Sequence, residues 1–370
     1  MKKLSNDLME SFYTNFYILY GFFTLIILFD VLGSFFEKKL IYIKYQNIII
    51  FLFLAAYYVL LSTRDLSVGV DTDRYFRFYK EMYLYGDSII GSDIGFNLFN
   101  KLLITCGISP NNYLFFLSLL FVVPIYYAIK QFKGINKVFL LWFFASLFIF
   151  ISLSTNVLRQ GIGGAFVIWG ISIFLNRTDD NKRFLMPLII APFFHFSLLL
   201  VILLFFVSKY VKNIKVAYVI LFITIVLSYM KFDLNTVLSN LPVIGNLFLD
   251  RMEGYMGENV KNYKIGFRID FFLFNLFFVF IGHYISKLKF IKSNYPLYGQ
   301  IYTTYILLTS YFILMFNVPF SDRFGILSWT FIPFIMYPIF DLSSFKYNNL
   351  KLGSVILGVS LFIVFNVLGI

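Results

Sequence analysis

Residues 184–207 read FLMPLIIAPFFHFSLLLVILLFFV. His195 is the only side chain in this stretch that can carry a charge. Eighteen or more such residues suffice for a helix to cross roughly 30 Å of hydrocarbon with its backbone hydrogen bonds made internally. The neighbouring sequence complicates a simple crossing. Basic clusters flank the stretch on both sides, Arg177 to Arg183 before it and Lys209 to Lys215 after it. Basic loops favour the cytoplasmic side, so a single crossing would strand one cluster. Pro187 and Pro192 interrupt the stretch, and proline removes a helical donor and kinks the chain. The segment therefore reads as a re-entrant helical hairpin with His195 near its apex. Irregular backbone at membrane depth is tolerated only where protein or a wet cavity receives it.

The rest of the chain follows the same pattern. Of its 370 residues 60% are hydrophobic and 14% charged, far from the balance of soluble domains. The apolar residues come in blocks without the alternation of a membrane barrel. The sequence predicts an all-α, polytopic membrane protein with about ten transmembrane helices, near 15–36, 46–63, 111–130, 138–154, 161–176, 216–231, 269–286, 297–316, 324–340 and 353–370. The short loops rich in lysine alternate consistently if they all face the cytoplasm and both termini face outward. That leaves outer loops at about 64–110 and 232–268, with 95–108 read as an amphipathic helix on the outer surface. No long linker or internal repeat divides the chain, so 1–370 is expected to be one membrane domain. The N-terminus lacks the apolar core and cleavage site of a signal peptide, so the first span is expected to persist. A single cysteine, Cys106, excludes an internal disulfide and a cysteine-built metal site. The net charge of +12 fits topogenic lysines rather than nucleic-acid binding.

Arginine is distributed differently from lysine. Arg64, Arg74, Arg77, Arg159, Arg251, Arg268 and Arg323 fall on the outer side in this topology, while the inner loops are mostly lysine. Arginine's planar fork matches phosphate oxygens in pairs, so an outer row against the positive-inside trend points to an anionic ligand. Pairing with neighbouring aspartates is the structural alternative. Asp71-Thr72-Asp73-Arg74-Tyr75 could hold a divalent cation through its carboxylates, take a proton from a sugar hydroxyl, or be plain loop. Asn156-Val157-Leu158-Arg159-Gln160 places an arginine in the first turn of an apolar helix, where free N–H groups already favour anions. His195 is an ionisable residue at membrane depth, suited to a base or a phosphate donor. His283 reads as structural. Asp250-Arg251 and Asp322-Arg323 are either ion pairs at membrane ends or arginines aimed into an outer cavity. No nucleotide-binding glycine loop and no zinc-type histidine cluster is present, so neither a metal nor another cofactor is expected. A membrane enzyme without a nucleotide needs a substrate already activated, such as a lipid diphosphate.

Several of these motifs occur together and in order. They run from Val70-Asp71-Thr72 through Tyr75 and Tyr79, then Asp93-Ile94-Gly95-Phe96-Asn97, Asn156 through Gly161, and Phe194-His195-Phe196-Ser197. Arg251 with Tyr255, and Arg323-Phe324, complete the set. Over residues 60–330 the chain resembles the EpsG-like family of bacterial polysaccharide polymerases, which overlaps the Wzy O-antigen polymerases. Gly163-Gly164 departs from the family, where an alanine usually follows Arg-Gln-Gly. The resemblance implies an inner-membrane enzyme whose active site faces the periplasm. It would transfer a growing glycan from undecaprenyl diphosphate to the terminal sugar of another lipid-linked repeat unit. By the same resemblance Arg159, Arg251, Arg323 and Arg74 would hold the donor diphosphate. His195, Asp71 or Asp73 would assist the acceptor hydroxyl, with Gln160, Asn156 and Tyr75 positioning substrate. The implied partners are the undecaprenyl-diphosphate-linked oligosaccharide and membrane lipid, with a chain-length regulator as a candidate. A glycan ligase, an acyltransferase and a non-enzymatic glycolipid flippase or other transporter are the competing classes.

Overall fold

The structure is a computed structural model that describes residues 2–36, 44–86, 93–176, 182–211, 213–232, 265–341 and 348–369. The described chain is all helix, with one isolated bridge between Ile135 and Asp341 and no strand. Seven helical stretches among the described residues are long and apolar enough to cross a membrane, or eight with one bent pair. The expected spans near 46–63 and 216–231 appear as apolar helices α2 (Gln46–Ser62) and α11 (Ile214–Tyr229), shorter than these. The protein is therefore a polytopic helical membrane protein. It packs as two compact units, 1–199 with 336–370, and 200–335.

Helix α1 (Lys2–Phe35) shows why these helices need lipid. Phe12, Phe16, Tyr20, Phe23, Ile27 and Val31 recur every three or four residues and are buried. Ile18, Phe22, Leu25, Phe29 and Leu32 face away and are exposed. A helix apolar on all sides suits a bilayer, not water. Helix α5 (Tyr113–Gln131) packs on α2 and on α8 (Leu158–Leu175), and α9 (Leu185–Phe194) packs on α8.

The expected continuous span at 138–154 is a correction. It is broken into α6 (Lys137–Ser146) and α7 (Phe148–Thr155), bent by 75°. Leu147 takes extended backbone, φ −81° and ψ 136°. No proline or glycine marks the break, so packing decides it. The bend lays α7 against α8, where Gly161 admits close backbone contact. A Cβ there would lie 1.6 Å from the Leu153 carbonyl oxygen. Gly161→Ala is expected to lower stability by roughly 1–3 kcal/mol through overpacking, read as a lower Tm of the purified protein. An unchanged Tm would refute this contact.

Two further helices occupy the region expected as loop. Helix α3 (Thr72–Tyr85) buries Thr72, Tyr75, Tyr79 and Met82 and exposes Arg74, Arg77, Lys80 and Glu81. Helix α4 (Ile94–Thr105) matches the amphipathic helix expected near 95–108. It buries Phe96, Asn100 and Leu103, and leaves Ile94, Leu98 and Leu102 as an exposed apolar stripe. Gly95 seats its start on α9, since a Cβ there would meet Phe193 at 2.7 Å. The segment 184–207 does break at His195, between α9 and α10 (Leu198–Ser208).

The second unit contains α11, α12 (Ile269–Lys287), α13 (Lys289–Asn294), α14 (Tyr298–Leu314) and α15 (Asp322–Trp329), followed by α16 (Ile332–Met336) at its edge. Buried Asn275 donates to the Phe271 carbonyl at 2.8 Å, and its Oδ1 accepts from Ser328 at 3.2 Å. His283 Nδ1 shares a 2.7 Å hydrogen bond with the Tyr218 hydroxyl, consistent with a structural role. Helix α17 (Asn348–Phe362) returns to the first unit, where Gly358 lies against Trp142.

Candidate functional site

The polar residues of the first unit converge at the corner between α7 and α8. Gly69, at φ +82°, lets the turn before α3 touch this corner, with a Cβ position 2.3 Å from the Thr155 carbonyl oxygen. The Val70 N–H donates to Asn156 Oδ1 at 3.2 Å, and Thr72 Oγ1 lies 3.4 Å from the Thr155 carbonyl. Residues 70–75 are thereby tied to the start of α8.

Arg159 stands at that start. Its Nε donates to the Tyr75 hydroxyl at 2.6 Å, and Nη1 donates to Asp93 Oδ2 at 2.5 Å. Its guanidinium also lies 5.5 Å from the centre of the Tyr75 ring. The Arg159 side chain keeps 20% of its surface exposed, against 5% for Asp93, so this cation faces outward from a buried carboxylate. Such a pairing fixes the guanidinium in one orientation. Asp71 acts electrostatically on both Tyr75 and Arg159. Burial, and then the Asp71 charge, push the Tyr75 phenol up to about 12. Tyr75 therefore keeps its proton at neutral pH and can donate it while accepting from Arg159.

A second arginine lies behind this layer. Arg64 is 6% exposed. It donates from Nη1 to the Leu61 carbonyl at 2.7 Å and from Nε to Thr72 Oγ1 at 3.3 Å. Nη2 is buried without a hydrogen-bond partner among the described residues. No carboxylate pairs with Arg64 among the described residues. Burial pulls its pKa down to about 10, which still leaves it charged at neutral pH. Tyr113 feels the Arg64 charge and stacks on Tyr79 with ring centres 4.3 Å apart. A buried cation without a counter-ion is costly, and its presence favours an anion nearby.

The other expected site residues are placed as follows. Asp73 pairs with Arg77 one helical turn on. Asp71 precedes α3, and Asp73 lies in its first turn. Arg74 is exposed, 5.7 Å from the centre of the Phe78 ring. Gln160 is buried on α8. His195 Nδ1 shares a 2.6 Å hydrogen bond with Ser197 Oγ. Arg323 belongs to the second unit, where it lies 5.3 Å from the Phe320 ring. Arg251 and most of the expected outer loop at 232–268 lie outside the described residues.

The sequence placed Arg64 only in the outer arginine row and Asp93 only in a motif of the family resemblance, with no partner for either. Asp93 is far in sequence from the arginine it meets. Arg64 followed an apolar helix and preceded Asp65, which made it look like an ordinary pair. Arg77, by contrast, is exposed and paired only with Asp73. Exposed pairs contribute little, so Arg77→Ala is expected to leave the amount of protein in the membrane and its Tm unchanged. A clearly lower Tm in that variant would show that the outer face of α3 is held by more than this pair.

These features define a polytopic membrane protein with a cationic cluster built into the ends of its helices. The chain matches the EpsG family over residues 44–370, and it belongs to that family, which comprises Wzy-like polymerases. Membership points to a polysaccharide polymerase-like function and to polysaccharide biosynthesis. No curated protein and no solved structure matches the chain.

Proposed function

We propose that the protein is a bacterial surface-polysaccharide polymerase of the O-antigen type, working on the periplasmic face of the inner membrane. The observation that carries this reading is Arg159 held between Tyr75 and Asp93, with the uncompensated cation Arg64 behind it. The donor is a glycan on undecaprenyl diphosphate, and the acceptor is the terminal sugar of a second lipid-linked repeat unit. The acceptor hydroxyl oxygen attacks the donor's anomeric carbon, and the bond from that carbon to the phosphate oxygen breaks. The electron pair leaves with undecaprenyl diphosphate, and fixed cations stabilise the charge that develops there. Arg159 and Arg64 do this within the first unit, with Arg74 at its rim. Asp71, electrostatically coupled to Arg159, takes the hydroxyl proton, and His195 is the alternative acceptor. Such a base contributes roughly a hundred- to ten-thousand-fold.

The test is reconstitution of the purified protein in liposomes with labelled undecaprenyl-diphosphate-linked repeat units and no nucleotide. A ladder of lengthening glycans supports the reading. Unchanged donor in a correctly folded preparation sinks it. Product joined to a different lipid acceptor would identify a ligase instead.

A further inference from the structure

Lined in part by Asn156, an open groove of about 370 Å³ lies in the first unit. The rings of Tyr13, Tyr17, Phe148 and Phe365 line it. Phe148 and Phe365 pack with ring centres 5.1 Å apart, and Tyr13 and Tyr17 at 6.4 Å, so the rings form two pairs. Ser152, Asn156 and Asn366 add polar groups. Among the described residues the lining carries no charge.

Two local features build this groove. The chain after α17 widens into a π-turn over Ile363–Val367, closed by Leu368 N–H to the Ile363 carbonyl at 2.9 Å. Such turns recur at functional sites, and this one carries Phe365 and Asn366. Asn156 uses its Oδ1 on Val70, which leaves its Nδ2 donors for a ligand. A pocket of this size, with aromatic rings beside amide and hydroxyl groups, orients a small ligand through those polar groups. The Asn366 Nδ2 donates to the Ser146 carbonyl at 3.5 Å, and an alkyl chain would leave the Asn156 Nδ2 donors without a partner, which is costly. A phosphate would find no cation. A sugar ring offers apolar C–H faces to the aromatic rings and hydroxyls to the amides.

We propose that this groove is a binding subsite for neutral sugar residues of the glycan being extended. The inference rests on the polymerase reading above. Asn156 then joins the two halves, binding sugar on one side and holding the Asp71 turn on the other.

The test is equilibrium binding to the full chain in nanodiscs, with a lipid-free oligosaccharide released by mild acid from the source organism's own surface polysaccharide as probe. The wild type is expected to bind it. Ser152→Trp, which fills the groove, is expected to raise Kd by at least about tenfold, and Tyr13→Ala and Phe365→Ala several-fold. Arg77→Ala is expected to bind as the wild type does, because Arg77 is exposed on α3 and paired with Asp73. If Ser152→Trp does not fold, the Tyr13 and Phe365 variants decide. The proposal is overturned if the wild type does not bind, if the groove variants bind unchanged, if Arg77→Ala loses binding as well, or if undecaprenyl phosphate displaces the probe. The outcomes separate from those of the polymerase reading. A glycan ladder that persists in Arg159→Ala counts against that reading and leaves the binding result standing. Lost binding with a ladder that depends on Arg159 does the reverse.

Discussion

Arg159→Ala is expected to collapse the surface-glycan ladder of the source organism to a single repeat unit while the protein still accumulates in the membrane. The change removes the hydrogen bonds to Tyr75 at 2.6 Å and Asp93 at 2.5 Å and the charge they orient. Arg159→Lys is expected to fail almost as badly. One ammonium cannot reproduce a planar fork held by two partners while offering its remaining donors to a phosphate. Removing one member of a buried pair also costs stability, roughly 3–5 kcal/mol, because Asp93 is left as an uncompensated buried charge. A double variant, Arg159→Gln with Asp93→Asn, removes both charges and is expected to recover most of that stability. It should remain inactive. A ladder restored by the double variant would show that Arg159 serves the fold rather than the reaction.

Arg64→Met is expected to abolish polymerisation with little change in stability. Burial holds the Arg64 guanidinium down at about 10, which corresponds to a cost of ~3 kcal/mol for keeping it charged inside the protein. Methionine fills a similar volume without that cost. It gives up the bonds to Leu61 and Thr72 and the 3.5 Å bond to Ser118, and hydrogen bonds from a charged group are worth roughly 1.5–3 kcal/mol each. The two sides roughly offset, so the Tm in detergent is expected to change little. A ligand that supplies the missing negative charge explains why a chain would retain such a group, since binding sites are often kept at the expense of stability. Lower Tm with an unchanged ladder would make Arg64 a structural cation and remove it from the site.

Much of the fold was legible because the membrane imposes it. Long apolar runs such as Ile269–Lys287 and Asn348–Val367 can be read without tertiary information, since lipid forbids unpaired backbone groups. The break at His195 was legible because Pro187, Pro192 and two flanking basic clusters announce it. The 75° bend at Leu147 was not, because no residue there dislikes a helix. It follows from the contact of Leu153 with Gly161, residues on different helices. Helix α3 was hidden for the same reason. Its buried stripe Thr72, Tyr75, Tyr79 and Met82 is mixed in polarity and becomes a core face only against α5 and the turn at Gly69.

For the site, residue types and spacing carried the family and the helical membrane class, and they pointed to Arg159 at the start of α8 as a candidate. Spacing and residue type carry those, because a helix N-terminus and a planar cation have the same properties in any fold. The packing of the helices set the long-range partners. It brought Asp93 to Arg159 and no carboxylate among the described residues to Arg64, whereas Asp73 and Arg77 meet one turn apart on α3. Charge attraction acts through space, and which charges meet is fixed by how α3, α4 and α8 pack.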